Sequence, residues 1–99
     1  MSIKESTVER HLRRRVKALG GVAIKIIPFY MPGLPDRLVV LPGGKYHWVE
    51  LKRPGEEPRS HQVRVHKLLG GLGCSVVVLD SVEAVDIWLE ETTRGDSTQ

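Results

Sequence analysis

The chain has 99 residues, enough for one domain with one core and too few for a separate substrate domain. Hydrophobic residues make up 40% and charged residues 27%, which excludes a disordered chain, and no apolar run approaches the ~20 residues of a membrane span. The net charge of +3 is unevenly spread: residues 1–20 and 52–67 are basic and residues 80–99 are acidic, so two segments attract polyanions.

Ser6-Thr7-Val8-Glu9 has the spacing of a capping box, with Ser6 taking a free N–H and Glu9 reaching back. Val8, Leu12, Val16 and Leu19 follow at helical steps, which predicts an amphipathic helix ended by Gly20-Gly21. Residues 22–27 are apolar and largely β-branched, a strand. Residues 28–35 hold three prolines and read as a loop. Residues 37–41 and 46–52 are two strands joined by a turn at Pro42-Gly43-Gly44-Lys45, hence an antiparallel hairpin. Residues 53–59 form a loop. Ser60 caps a second helix that runs to about Leu69 and is ended by Gly70, Gly71 and Gly73. Residues 75–79 read as a buried strand. Asp80 or Ser81 caps a third helix with Val82, Val85 and Leu89 on one face. Residues 92–99 are polar and read as a fraying tail. The predicted order is α-β-β-β-α-β-α in a single domain spanning residues 1–99. The sheet is mixed, with helices on both faces, because the last strand follows a helical crossover and pairs parallel.

Several chemistries are absent. The four histidines lack ligand spacing and cysteine occurs once, at Cys74, so neither a zinc site nor an intrachain disulfide is expected. No phosphate-binding glycine motif occurs, so no nucleotide cofactor is expected. The first residues are charged at Lys4, Glu5, Glu9 and Arg10 and do not read as a signal peptide. A reducing, cytoplasmic setting follows.

What remains is polar residues where a core prefers apolar ones. Asp36 opens the second strand. Glu50 and Lys52 share one face of the third, since alternate residues do. A turn centred on Gly43 sets Asp36 opposite Glu50, with Cβ atoms roughly 5 Å apart; a two-residue loop at Gly43-Gly44 sets it opposite Leu51 instead. Two facing carboxylates repel unless a cation lies between them, and oxygen ligands suit Mg²⁺ or Mn²⁺. Asp36, Glu50 and the carbonyl of Leu51 then form a metal site beside Lys52, the requirements of phosphodiester hydrolysis.

Gly33-Leu34-Pro35-Asp36, Val49-Glu50-Leu51-Lys52-Arg53-Pro54 and Ser60-His61-Gln62 resemble the VRR-NUC branch of the PD-(D/E)xK nucleases. The resemblance runs from the first helix to about Leu89 and implies a restriction-endonuclease-like α/β core. It makes Asp36 and Glu50 metal ligands and Lys52 the catalytic lysine. It places Gln62 in the site, and Glu9 as a supplementary metal ligand at the margin of the first helix's apolar stripe. It also implies a homodimer that cuts four-way (Holliday) junctions in DNA, a flap- or nick-directed nuclease and a silent nucleic-acid-binding module being the alternatives. The setting is a bacterial or phage-infected cell. Arg10, Arg13, Arg14, Arg53, Arg59, Arg64 and Lys67 are candidate phosphate contacts. Phe29, Tyr30, Met31 and Trp88 are candidate dimer-interface residues.

Overall fold

The computed structural model describes residues 6–27, 29 and 31–97; the expectations for Tyr30, for the first five residues and for residues 98–99 of the tail lie outside them. The elements are α1 (Thr7–Ala18), β1 (Val22–Lys25), β2 (Arg37–Leu41), β3 (Lys45–Leu51), α2 (Ser60–Gly71), β4 (Val76–Leu79) and α3 (Val82–Ser97). The α-β-β-β-α-β-α order and the mixed, helix-flanked sheet are as expected.

Ser6 caps α1, its Oγ accepting from the Glu9 N–H at 3.0 Å. The other half of the capping box is not formed, because the Glu9 carboxylate turns to Arg37. Leu12 and Val16 are fully buried, while Leu19, past the last helical turn, is exposed. The helix ends in a Schellman motif: Gly21 N–H bonds Val16 O and Gly20 N–H bonds Lys17 O, each at 2.9 Å, with Gly20 at φ +88°. Only glycine adopts that backbone without strain.

The four strands lie in the order β1-β2-β3-β4. β1, β2 and β3 pair antiparallel, and β4 pairs parallel to β3. In the β2–β3 hairpin Leu41 faces Lys45 and Arg37 faces Val49. The turn is therefore centred on Gly43, and one further step sets Asp36 across from Glu50. The register alternative with Asp36 opposite Leu51 is not adopted.

One sheet face carries Val39, Leu41, Val49 and Leu79, all buried. These pack with Leu12 and Val16 of α1 and Val85 and Leu89 of α3 to form the core. α2 crosses the opposite face and buries none of its residues completely. Val22, Ile24 and Tyr46 stay exposed there. His11 and Arg15 of α1 both bond Asp86 of α3, tying the two helices together.

Three helix boundaries differ from expectation, and β1 ends at Lys25 rather than Ile27. The N-cap of α2 is Arg59, not Ser60; Gln62 supplies the acceptor, its Oε1 taking the Arg59 N–H at 2.8 Å. α2 also runs through Gly70 and Gly71 and stops where Gly73 turns to φ +94°. α3 is helical to Ser97, so the polar residues from Thr92 belong to it. There Thr93 Oγ1 donates to Leu89 O at 2.8 Å, satisfying its hydroxyl within the helix. Ser81 rather than Asp80 caps α3, its Oγ accepting from Ala84 N–H at 3.0 Å.

Candidate active site

The polar residues gather where β2 begins and β3 ends. Asp36 follows Pro35 and enters β2, and its Oδ2 accepts the Leu51 N–H at 2.8 Å. This bond fixes the carboxylate against the last residue of β3. Glu50 lies on the α2 side of β3 and is only 1% exposed. Its Oε2 takes a bond from Gln62 Nε2 at 3.1 Å and lies 3.3 Å from Lys52 Nζ. Lys52 Nζ in turn donates to Gln62 Oε1 at 3.0 Å. Gln62 thus links acid to base while holding the first turn of α2. Asp36, Leu51, Lys52 and Arg53 line a cavity of about 570 Å³, whose other wall includes Ser6 and Glu9 of α1. Glu50 is not one of its lining residues.

Burial is the main influence on Glu50. It raises the carboxyl above its ordinary value; the Asp36 charge adds to the rise, and Lys52 and Gln62 oppose it. His66, one turn along α2 from Gln62, places Nε2 at 3.9 Å from Glu50 Oε1. Burial, reinforced by Lys52, lowers its pKa. Glu50 Oε1 and His66 Nε2 are both buried with no hydrogen-bond partner among the described residues. A buried carboxylate oxygen in that position suits a ligand or water better than an apolar neighbour.

The structure thus brings together Asp36, Glu50, Lys52, Gln62 and the Leu51 backbone. Glu9 reaches the cavity from α1, as the edge of its helical stripe allows. Its Oε2 is held by Arg37 Nη2 at 2.8 Å, with Lys25 Nζ at 3.8 Å. Arg10, Arg13 and Arg14 lie in a separate groove along α1. Arg59 and Arg64 are exposed at and on α2, and Lys67 lines a shallow depression with His66 and Cys74. Trp88 packs on the core, edge-on to His47 with ring centroids 5.4 Å apart. It is partly buried. Phe29 and Met31 are exposed.

Two residues were missed by sequence reasoning. Arg37 is 6% exposed, a buried cation signalled only by strand alternation, which turns position 37 inward with Val39 and Leu41. His66 was signalled by its i+4 spacing from Gln62, which puts both on one helix face.

No family model matches the chain. A protein named "Putative nuclease p44", from Acyrthosiphon pisum secondary endosymbiont phage 1, is 46% identical over 85 residues, covering 86% of this chain and 91% of the relative. A solved structure named "VRR_NUC domain" has the same fold with a TM-score of 0.83 at 36% identity, over 90% of this chain and 97% of that one.

Proposed function

Given that this chain belongs to the VRR-NUC family of nucleases, we propose that it is a Mg²⁺- or Mn²⁺-dependent, structure-selective DNA endonuclease that cuts four-way junctions as a homodimer. One observation carries the active-site assignment: Glu50, Lys52 and Gln62 form a closed hydrogen-bonded set at the sheet end where Asp36 sits. Burying a carboxylate beside an ammonium opposes stability more often than it helps, so such a set is better explained by chemistry than by folding.

The donor set fits a hard divalent cation. Asp36, Glu50 and the Leu51 carbonyl are oxygen donors, and Glu50 Oε1 is buried without a hydrogen-bond partner. Among the described residues no three His, Cys, Asp or Glu side chains cluster as a metal site. Mg²⁺ is commonly held by one or two carboxylates completed by water and substrate phosphate, so Asp36, Glu50 and Leu51 would hold it, with Glu9 nearby. When bound, the cation neutralises charge on the phosphodiester and activates water. Lys52 offers its ammonium to the phosphoryl oxygens as negative charge builds on them during attack. Gln62 holds Lys52 and Glu50 in register for that role. Arg53, at the cavity wall, draws in the DNA backbone.

A two-fold dimer presents two such sites to the paired strands of a junction. Val22, Ile24 and Tyr46 on the open sheet face, with Phe29 and Met31, supply apolar surface for it. The phage origin of the relative accords with action inside a phage-infected bacterial cell.

The test is cleavage of end-labelled four-way junction, flap, nicked and plain duplex DNA with Mg²⁺, Mn²⁺ or EDTA. Metal-dependent, symmetrically paired cuts in the junction are expected. Lys52→Ala should lower the rate at least about 100-fold, the loss typical of removing one preorganised donor. Cuts confined to flaps or nicks would transfer the assignment to the flap- or nick-directed alternative. Binding without cuts in any metal would leave a silent binding module.

A further inference from the structure

Four cations of α1 take no part in the site described above. Arg10, Arg13, Arg14 and Lys17 follow one another at steps of three, one and three, so they share one helix face. All four are exposed. With the buried Arg37 they line a groove of about 630 Å³, whose remaining wall is Gly21, Val22 and Ala23 at the start of the edge strand β1. Among the described residues no carboxylate lines it. Arg15 is excluded from the groove because it bonds Asp86 on α3. Such a concentration of one sign of charge in a depression draws in anions.

The groove adjoins the catalytic cavity. Arg37 Nη1 donates to Ala23 O at 3.0 Å, on the groove wall. Its Nη2 donates to Glu9 Oε2 at 2.8 Å, on the cavity wall. The Glu9–Arg37 pair thus touches both. From Arg10 to Lys17 the helix rises about 10 Å at 1.5 Å per residue. That matches about three nucleotides of one strand at roughly 3.4 Å each.

We propose that this groove is a second, non-catalytic phosphate site, which holds the sugar-phosphate backbone of the DNA strand flanking the bond to be cut. The choice of DNA as the anion rests on the nuclease reading; the groove itself rests on its five cations. It holds register rather than reading sequence, because cation–phosphate contacts carry no base information.

The experiment is fluorescence anisotropy of dye-labelled duplex and single-stranded DNA in EDTA, over a range of salt concentrations. Arg13→Gln/Lys17→Gln is compared with Leu68→Glu/Leu72→Glu. Both pairs lower the net charge by two, and Leu68 and Leu72 are 50% and 74% exposed on the far side of the sheet. The groove pair should weaken binding about tenfold near 0.1 M salt and reduce the slope of log affinity against log salt by about 1.5. The Leu68→Glu/Leu72→Glu pair should leave that slope unchanged. Equal losses in the two pairs, or none in the groove pair, would overturn the proposal. EDTA separates the two readings. A protein that never cleaves yet loses binding in the groove pair defeats the nuclease assignment alone. One that cleaves but binds DNA equally in that pair defeats the groove alone.

Discussion

Glu50 is the residue on which the site and the stability of the free protein meet. Its spacing from Lys52 was legible, since alternate strand residues share a face. Its near-complete burial was not, because that depends on α2 lying over it. Burial raises its pKa, with the Asp36 charge second. A raised carboxyl pKa means that the folded protein keeps a proton that the unfolded chain has already released. The stabilisation is full at acid pH and is lost as pH rises from the ordinary carboxyl range through the raised value. Glu50→Gln is uncharged and nearly isosteric. In EDTA its melting temperature should exceed wild type at neutral pH and converge on it in acid, while cleavage in Mn²⁺ falls at least about 100-fold. A variant less stable than wild type at neutral pH would show that the ionised form is the better accommodated one. Gln62 entered through family resemblance; the structure adds that it joins three groups, through bonds to Glu50, Lys52 and the Arg59 N–H.

α2 brings Gln62 and His66 to the site, so its seat on the proline loop governs both. Gly33 lies against it at φ +101°, where an added Cβ would stand 2.8 Å from Val65 Cγ2 and 2.9 Å from His61 O. Gly33→Ala should therefore push the helix away, costing about 1–3 kcal/mol for the strained backbone and slowing single-turnover cleavage about tenfold through misplacement. Gly43 at the β2–β3 turn also has a positive φ, +89°, but an added Cβ there meets open space. Gly43→Ala should cost about 1–2 kcal/mol and leave the rate of the folded enzyme unchanged. Paired denaturant melts and rates check this; equal rate losses would mean that Gly33 acts only through stability. The hairpin register was legible as one of two alternatives, and pairing chose between them. The N-cap of α2 was not legible, because Arg59 is no capping residue by type and the acceptor comes from Gln62 within the helix.

At the scale of the whole molecule, the site sits at one end of a sheet that is well covered on one face only. α1 and α3 close the core, and α2 leaves Val22, Ile24 and Tyr46 open. A metal held by Asp36 and Glu50, as proposed, would bind the folded chain alone and would stabilise it by linkage. At a tenfold excess over its Kd, Mn²⁺ should add about 1.4 kcal/mol, or about 5–10 °C in a domain of this size. In Asp36→Ala the increment should fall below half. Thermal melts with and without Mn²⁺ measure it, and an equal increment in both proteins would place the metal elsewhere.

By itself the sequence determined the element order, the placing of helices on both faces of the sheet and the shared strand face of Glu50 and Lys52. Each follows from periodicity, turn chemistry or strand alternation, which act over a few residues. Only the tertiary structure decided the rest. It chose the Gly43-centred register and buried Glu50 under α2. It turned Glu9 from a helix cap to Arg37, and it parted the α1 cations from those on α2. Those outcomes depend on contacts between segments far apart in the chain. There a buried charge takes the partner that packing brings within reach rather than the one nearest in sequence.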